Sequence, residues 1–533
     1  MQITPKSQTW TPLLSSIFDV ALAFMPVSSA PRTLFPSANS VVNLSSFRFF
    51  SSILFLLFTP VISFAQAPST DSKAVSASKV ERKNRAPVSK EILKVKLPKP
   101  YESKLPNGLT VLILEDHRFP LVAVDFTFQG AGALWEPTDQ HGLAGVTAQM
   151  LREGTPTRNS KAINEEIDRL GASFFSNAAY GDEDASAGAS GLSDNLDAWF
   201  PLAMDLILNS NFPADELTKL KERLKVQLIQ QRQQSSFLAS EQFSKAVYGS
   251  HPAATISATP ESIDALTSEK LAQWHKARYA PQTTLLGVAG DVNPQEFVAK
   301  LKTWIASWQK TDFVPPKTPA TTPVKDRRVF VVDRPGSVQT TLAMGNIAIN
   351  RTSPDYPAMI VMNQILGAGA AARLFLNLRE AKGYTYGVYS NFTAVQYAGP
   401  FRAGGDARTQ VTDGAMTEFW NEFHRIRDEK VPDGELDDAR RAVVASFALS
   451  LESASELLNF AEEQKLYGLP ADYWDNYPAQ ISAVTADDVQ RVARKYVDPE
   501  TMQVVAVGDA KTITPVLEKY GKVQLFDQND KPQ

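Results

Sequence analysis

Apolar runs that suit strands occur early, at LTVLILED and VAVDFTFQG, and return some 218 residues later at RRVFVVD and TTLAMGNIAI. Between them the spacing changes to helical. Leu143, Val146 and Met150 share one face; Ile163, Ile167 and Leu170 share another and stop at Gly171; a longer helix is predicted over 213–231. Two helices, TSEKLAQWHKARY and TADDVQRVARKY, open on Thr267 and Thr485, each followed by an acidic residue two or three positions on, the pattern of an N-cap or capping box. Each feeds a final strand, TTLLGVAGD and MQVVAVGD.

These elements recur in register. Pro213-Ala-Asp-Glu216-Leu217 returns as Pro432-Asp-Gly-Glu435-Leu436, and Tyr248-Gly249 returns as Tyr467-Gly468, both 219 residues on. Thr267 and Thr485, and the strand ends Gly290-Asp291 and Gly508-Asp509, are 218 apart. Strands and helices mix without strict alternation, which predicts an α+β chain of two homologous domains, each an antiparallel sheet covered by helices. The expected bounds are 98–308 and 329–520, with a Pro-rich connector at 309–328 carrying Pro315, Pro316, Pro319 and Pro323, and a tail at 521–533.

The N-terminal region has another character. Residues 49–64, FFSSILFLLFTPVISF, are uncharged and mostly apolar, follow Arg48 and precede Ala65-Gln66-Ala67, the form of an export signal with its cleavage site. The run is short for a bilayer span and Pro60 interrupts it. Residues 1–67 are therefore expected to be a targeting region, leaving a mature protein without a stable membrane span, periplasmic or secreted. Residues 71–99 hold nine basic and three acidic side chains and few large apolar ones, so 68–97 is expected to be a disordered tether.

Composition narrows the chemistry. Among 533 residues, 54 Lys and Arg face 58 Asp and Glu for a net charge of −4, which gives nucleic acid no electrostatic footing. With no cysteine, disulfides, thiolate nucleophiles and Cys-held metals are excluded. The five histidines, His117, His141, His251, His275 and His424, include no pair one helical turn apart, so a local HExxH or HxxEH zinc motif is absent.

At LPNGLTVLILEDHRFPLVAVDFTFQGAGALWEP and then HGLAGVTAQMLREGT, the sequence resembles the insulinase/pitrilysin family of inverted-motif zinc peptidases, over about residues 98–515. In active members the resemblance implies H-x-x-E-H on a helix, two zinc ligands and a general base on one face. Aligned through His141-Gly142-Leu143-Ala144 and Met150, this chain has Gly145 and Gln149 at the ligands and Ala148 at the base. The family's third ligand, a Glu some 75–80 residues on, falls near Gln227 or Leu228. The resemblance thus implies no metal in this chain. His141 belongs to the turn before the helix and reads as a capping or surface residue.

The second half keeps another family signature, GAGAAARLFLNLREAKGYTYGVYSNF, in which Arg379 and Tyr386 occupy the Arg and Tyr of the motif. In two-chain bacterial members, the resemblance implies, this pair reaches into the active site of a zinc-bearing sister. The two chains form a clamshell around a peptide. A hydroxyl and a fixed cation suit a peptide carbonyl that gains negative charge. The residues alone equally allow an ordinary ion pair between Arg379 and Glu380, and a core aromatic at Tyr386. Gly367, Gly369 and Gly383 lack the GK[ST] of a phosphate loop and read as turn residues and a helix C-cap. The expected function is a zinc-free subunit of a heterodimeric metallopeptidase, with Arg379 and Tyr386 assisting in trans. The alternatives are an inert structural, core-type subunit and a peptide-binding protein.

Overall fold

In each half a strand from near the end of that half returns to lie between two of its early strands. The computed structural model describes residues 91–533; the targeting region at 1–67 and most of the tether at 68–97 lie outside the described residues. In the first half, β1 (Tyr101–Lys104), β2 (Thr110–Glu115) and β3 (Leu121–Gln129) lead to α1 (Leu143–Met150) and α2 (Ser160–Leu170). Then come β4 (Ser173–Asn177) and β5 (Asp184–Leu192), α3 (Leu196–Asn209), α4 (Ala214–Arg232), α5 (Ser235–Tyr248), α6 (Pro260–Asp264) and α7 (Ser268–Arg278), β6 (Thr284–Gly290) and α8 (Pro294–Trp304). The second half runs β7 (Arg328–Asp333), β8 (Gln339–Ile347), α9 (Tyr356–Leu366), a π-helix at Phe375–Ala381, β9 (Thr385–Phe392) and β10 (Pro400–Arg408). It continues through α10 (Thr412–Asp428), α11 (Asp433–Ser450), α12 (Ala454–Leu466), α13 (Tyr473–Ala483), α14 (Ala486–Tyr496), β11 (Gln503–Gly508), α15 (Ala510–Leu517) and β12 (Val523–Phe526).

The result is two six-stranded sheets, β1-β2-β6-β3-β5-β4 and β12-β7-β11-β8-β10-β9, covered by helices as the repeat predicts. They are mixed rather than purely antiparallel. β6 lies parallel to β2, and β11 and β12 lie parallel to β7, because each reaches its neighbour by a helical crossover rather than a hairpin. Both threonine caps form. Thr267 Oγ1 accepts from Lys270 N at 3.3 Å, and Thr485 and Asp488 complete a full capping box. Gly171 closes α2 at φ 60°, where a side chain would be strained.

The end of the tether and the tail both make ordered contacts. Val95 and Leu97, at the end of the tether, pack on the second core, and Leu97 N donates to Asp475 Oδ1 at 2.8 Å. The tail supplies β12, whose Val523 and Leu525 pack on the second core while Phe526 stacks toward Phe330. Four residues are too short a run for periodicity to register. The connector has no regular structure, but it is pinned along its length. Gln282 Nε2 donates to the carbonyls of Thr311 and Phe313, His251 Nε2 to that of Pro319, and Thr321 Oγ1 to that of Ala398.

The helical face of each sheet is built from its own half: Phe126, Phe128, Trp199 and Phe200 in the first, Phe401, Phe419 and Phe423 in the second. The opposite faces are exchanged. α5 of the first half lays Leu238, Phe243 and Val247 on Phe330, Ala343, Val505 and Val507 of the second sheet. In return α12 lays Leu458 on Leu112, Leu114, Leu285 and Ala289 of the first. At about 1.5–3 kcal/mol for each large side chain removed from water, these clusters bind the halves together strongly. α12 approaches so closely that a Cβ at Gly287 in β6 would stand 1.8 Å from Glu462 Oε1.

Candidate functional site

The first candidate position is α1. Gly142 precedes it at φ 101°, and the cap comes from Glu136, a buried carboxylate that accepts from Gly142 N at 2.9 Å and Ala144 N at 2.6 Å. This places a negative charge on the positive end of the helix. His141 stands outside the helix, its Nδ1 3.9 Å from Glu136 Oε2 and its carbonyl accepting from Ser262 Oγ at 2.8 Å.

Gly145, Ala148 and Gln149 hold the i, i+3 and i+4 places on α1. Ala148 is wholly buried, and its carbonyl accepts from Ser176 Oγ at 2.6 Å. A Cβ at Gly145 would lie 3.2 Å from the carbonyl oxygen of Ala178, so a ligand side chain there would press on backbone. Gln149 is exposed; on α4, Gln227 is exposed and Leu228 half-buried. Two amides and aliphatic groups do not fit a zinc ion. Among the described residues no three His, Asp or Glu side chains converge to hold a metal.

The second candidate position runs from α9 into β9. Gly367 ends α9 against β9: its carbonyl accepts from Ser390 N at 2.9 Å, and a Cβ there would stand 2.4 Å from Ser390 Oγ. Arg373 turns inward and pairs with Glu435 of α11 through two 2.7 Å bonds. The π-helix follows, fastened to α10 by Asn377 Nδ2, which donates to Glu418 Oε2 at 3.0 Å and Glu422 Oε1 at 2.8 Å. Such widened turns concentrate at functional sites. Gly383 closes it at φ 63°.

Arg379 points outward. Its guanidinium lies 4.6 Å from the centre of the Phe375 ring and its Nε 3.6 Å from Glu380 Oε1, both partners of that pair being nearly half-exposed. Phe375 in turn packs against Tyr389, ring centres 5.9 Å apart. Tyr386 lies on β9, an edge of the second sheet, and is 88% exposed. It is therefore not a core aromatic, and the weakly held Arg379–Glu380 pair leaves the guanidinium accessible. Arg379 and Tyr386 thus share one exposed segment, whereas Gly145, Ala148 and Gln149 belong to α1 in the other half. Sequence reading missed Phe375 and Tyr389; the i, i+4 spacing of Phe375 and Arg379 was the available signal for the first.

Residues 111–261 match the insulinase (peptidase family M16) domain, and residues 265–443 match the peptidase M16 inactive domain. The chain belongs to the insulinase (M16) family. Relatives in that family include a protein named uncharacterized zinc protease YmxG in Bacillus subtilis (strain 168), 22% identical over 73% of this chain and 93% of that protein. Another, named uncharacterized zinc protease, in Rickettsia bellii (strain RML369-C), is 25% identical over 76% of this chain and 96% of its own length. Among solved structures, the peptidase M16 inactive domain from Pseudomonas fluorescens matches with a TM-score of 0.72 at 28% identity, covering 77% of this chain and 98% of that one. A protease from Helicobacter pylori shares the fold, with a TM-score of 0.70 at 19% identity over 77% of this chain and all of that one.

Proposed function

We propose that this M16 chain is the zinc-free member of a peptidase pair, in which a homologous sister bearing an intact H-x-x-E-H motif holds the metal and this chain lends Arg379 and Tyr386 to the peptide in the sister's site. The carrying observation is Tyr386. A tyrosine 88% exposed on an edge strand, its phenol making no hydrogen bond among the described residues, contributes little to its own fold and is free to donate elsewhere. Arg379, on the same exposed segment, supplies a cation, and the unpaired edge of β9 supplies backbone groups that an extended peptide can add to. The relatives' names speak of zinc proteolysis; here zinc chemistry is assigned to the partner, since α1 offers no ligand. The apolar run at 49–64 followed by Ala65-Gln66-Ala67, read as an export signal, favours a location outside the cytoplasm for the pair.

The test is reconstitution with a sister chain and an unstructured peptide. Tyr386→Phe removes one donor and almost no volume, so assembly and melting temperature are expected to hold while kcat/KM falls by about 10- to 1000-fold. An unchanged kcat/KM would leave the chain as a scaffold or a peptide clamp.

A further inference from the structure

β9 begins with a bulge, and that bulge decides where Tyr386 points. From Phe392 to Val388 the strand runs in constant register with β10, ending at Val388 opposite Gly405. Continued unchanged, that register would set Tyr386 opposite Ala407, on the face that carries Val388 and Ser390, both buried. Instead Thr385 stands opposite Ala407, and Tyr386 and Gly387 together oppose Asp406. The extra residue breaks the period of two and turns the phenol outward.

Thr385 holds the bulge closed. Its Oγ1 accepts from Gly387 N at 3.1 Å and donates to the Gly387 carbonyl at 2.8 Å, engaging both backbone groups of the residue that the bulge sets out of register. The Gly387 carbonyl leans over β10 so closely that a Cβ at Gly405 would lie 2.4 Å from it. On the other strand, Asp406 is fixed by Thr341, whose Oγ1 donates to Asp406 Oδ1 at 2.5 Å. From this geometry we infer that Thr385 is a positioning residue for Tyr386: its hydroxyl keeps the bulge in place and so presents the phenol to the partner's site. The inference rests on the role proposed for Tyr386, but the presentation can be measured without it.

The experiment uses the full chain in wild-type, Thr385→Val, Thr385→Ser and Gly405→Ala forms. Tyrosine nitration with tetranitromethane is read by peptide fragmentation as the ratio of Tyr386 to Tyr389, the half-exposed neighbour serving as internal standard. Thr385→Val keeps shape but loses the hydroxyl, and is expected to lower that ratio roughly threefold or more as the register slips. In the reconstituted pair it is expected to lower kcat with little change in KM. Thr385→Ser is expected to restore both readouts. Gly405→Ala, which displaces the Gly387 carbonyl from the β10 side, should act as Thr385→Val does and stands in for it should that variant fold poorly. A nitration ratio at the wild-type value in both Thr385→Val and Gly405→Ala overturns the inference. A reduced ratio with unchanged turnover supports the positioning role and instead removes the function proposed for Tyr386.

Discussion

Arg379 rests its guanidinium on the face of Phe375, 4.6 Å from the ring centre, while Arg373, two residues before that ring, is buried against Glu435. One motif therefore carries two arginines with opposite duties. Arg373→Ala strands the Glu435 carboxylate and is expected to cost about 3 kcal/mol of stability in urea unfolding. Arg379→Ala is expected to change stability by no more than about 0.5 kcal/mol, since its ion pair is exposed and loosely spaced. Under the role proposed for it, its effect is expected in the kinetics of the reconstituted pair. Equal destabilisation by the two substitutions would contradict this division.

Zinc should be well below one per chain in the purified protein by elemental analysis, because α1 presents Gly145, Ala148 and Gln149 where ligands and base would stand. Restoring the motif with Gly145→His, Ala148→Glu and Gln149→His together is expected to leave it there. A His at 145 presses on the Ala178 carbonyl, and no carboxylate stands at 227 or 228 to complete the set. Stoichiometric, chelator-sensitive zinc in the wild-type chain would refute this.

Glu183 gives the fold a pH dependence. Burial raises its carboxyl from 4.5 to about 7, with Asp182 and Asp184 adding to the rise, while Thr318 Oγ1 and Gln396 N donate to the carboxylate and oppose it. Between pH 4.5 and 7 the folded chain keeps this proton and the unfolded chain has lost it, so the contribution to stability falls as pH rises through that window. Glu183→Gln should remove that loss. The melting temperature of the variant minus that of the wild type is expected to grow between about pH 5 and pH 8. A constant difference across the range would exclude Glu183 as the titrating group.

Cleavage within 309–328 should not separate the halves. The nicked chain is expected to elute as one species on size exclusion, held by α5 and α12. Expressed alone, residues 91–308 leave Leu112, Leu114, Leu285 and Ala289 uncovered and are expected to aggregate or bind a hydrophobic dye. A soluble, cooperatively melting monomer of either half would overturn this.

The residues that could be read from sequence are those governed by local rules. Thr267, Thr485 and Gly171 announce helix ends through hydrogen-bonding and backbone preferences confined to a few neighbours, and the strand repeats follow from side-chain period. What escaped reading is non-local or too brief. Nothing near Phe243 or Leu458 says whose sheet either will cover. The outward turn of Tyr386 depends on one unpaired residue, and period alone would have buried it. The non-ligating residues at 145, 148 and 149 were plain from their identities, but the tight approach of the Ala178 carbonyl to position 145 was not.

A protein of half this length, ending after its eighth helix, would have nothing of its own to lay across the outer face of its sheet. It would become complete by lending its fifth helix to a twin and borrowing the twin's in return. In the present chain that exchange is made within one molecule, the pinned Pro-rich connector joining the two halves. Prying its two sheets apart would strip a helix from each and wet both clusters at once. Any motion that parted the halves would have to expose both clusters, so the two halves are expected to move as one body.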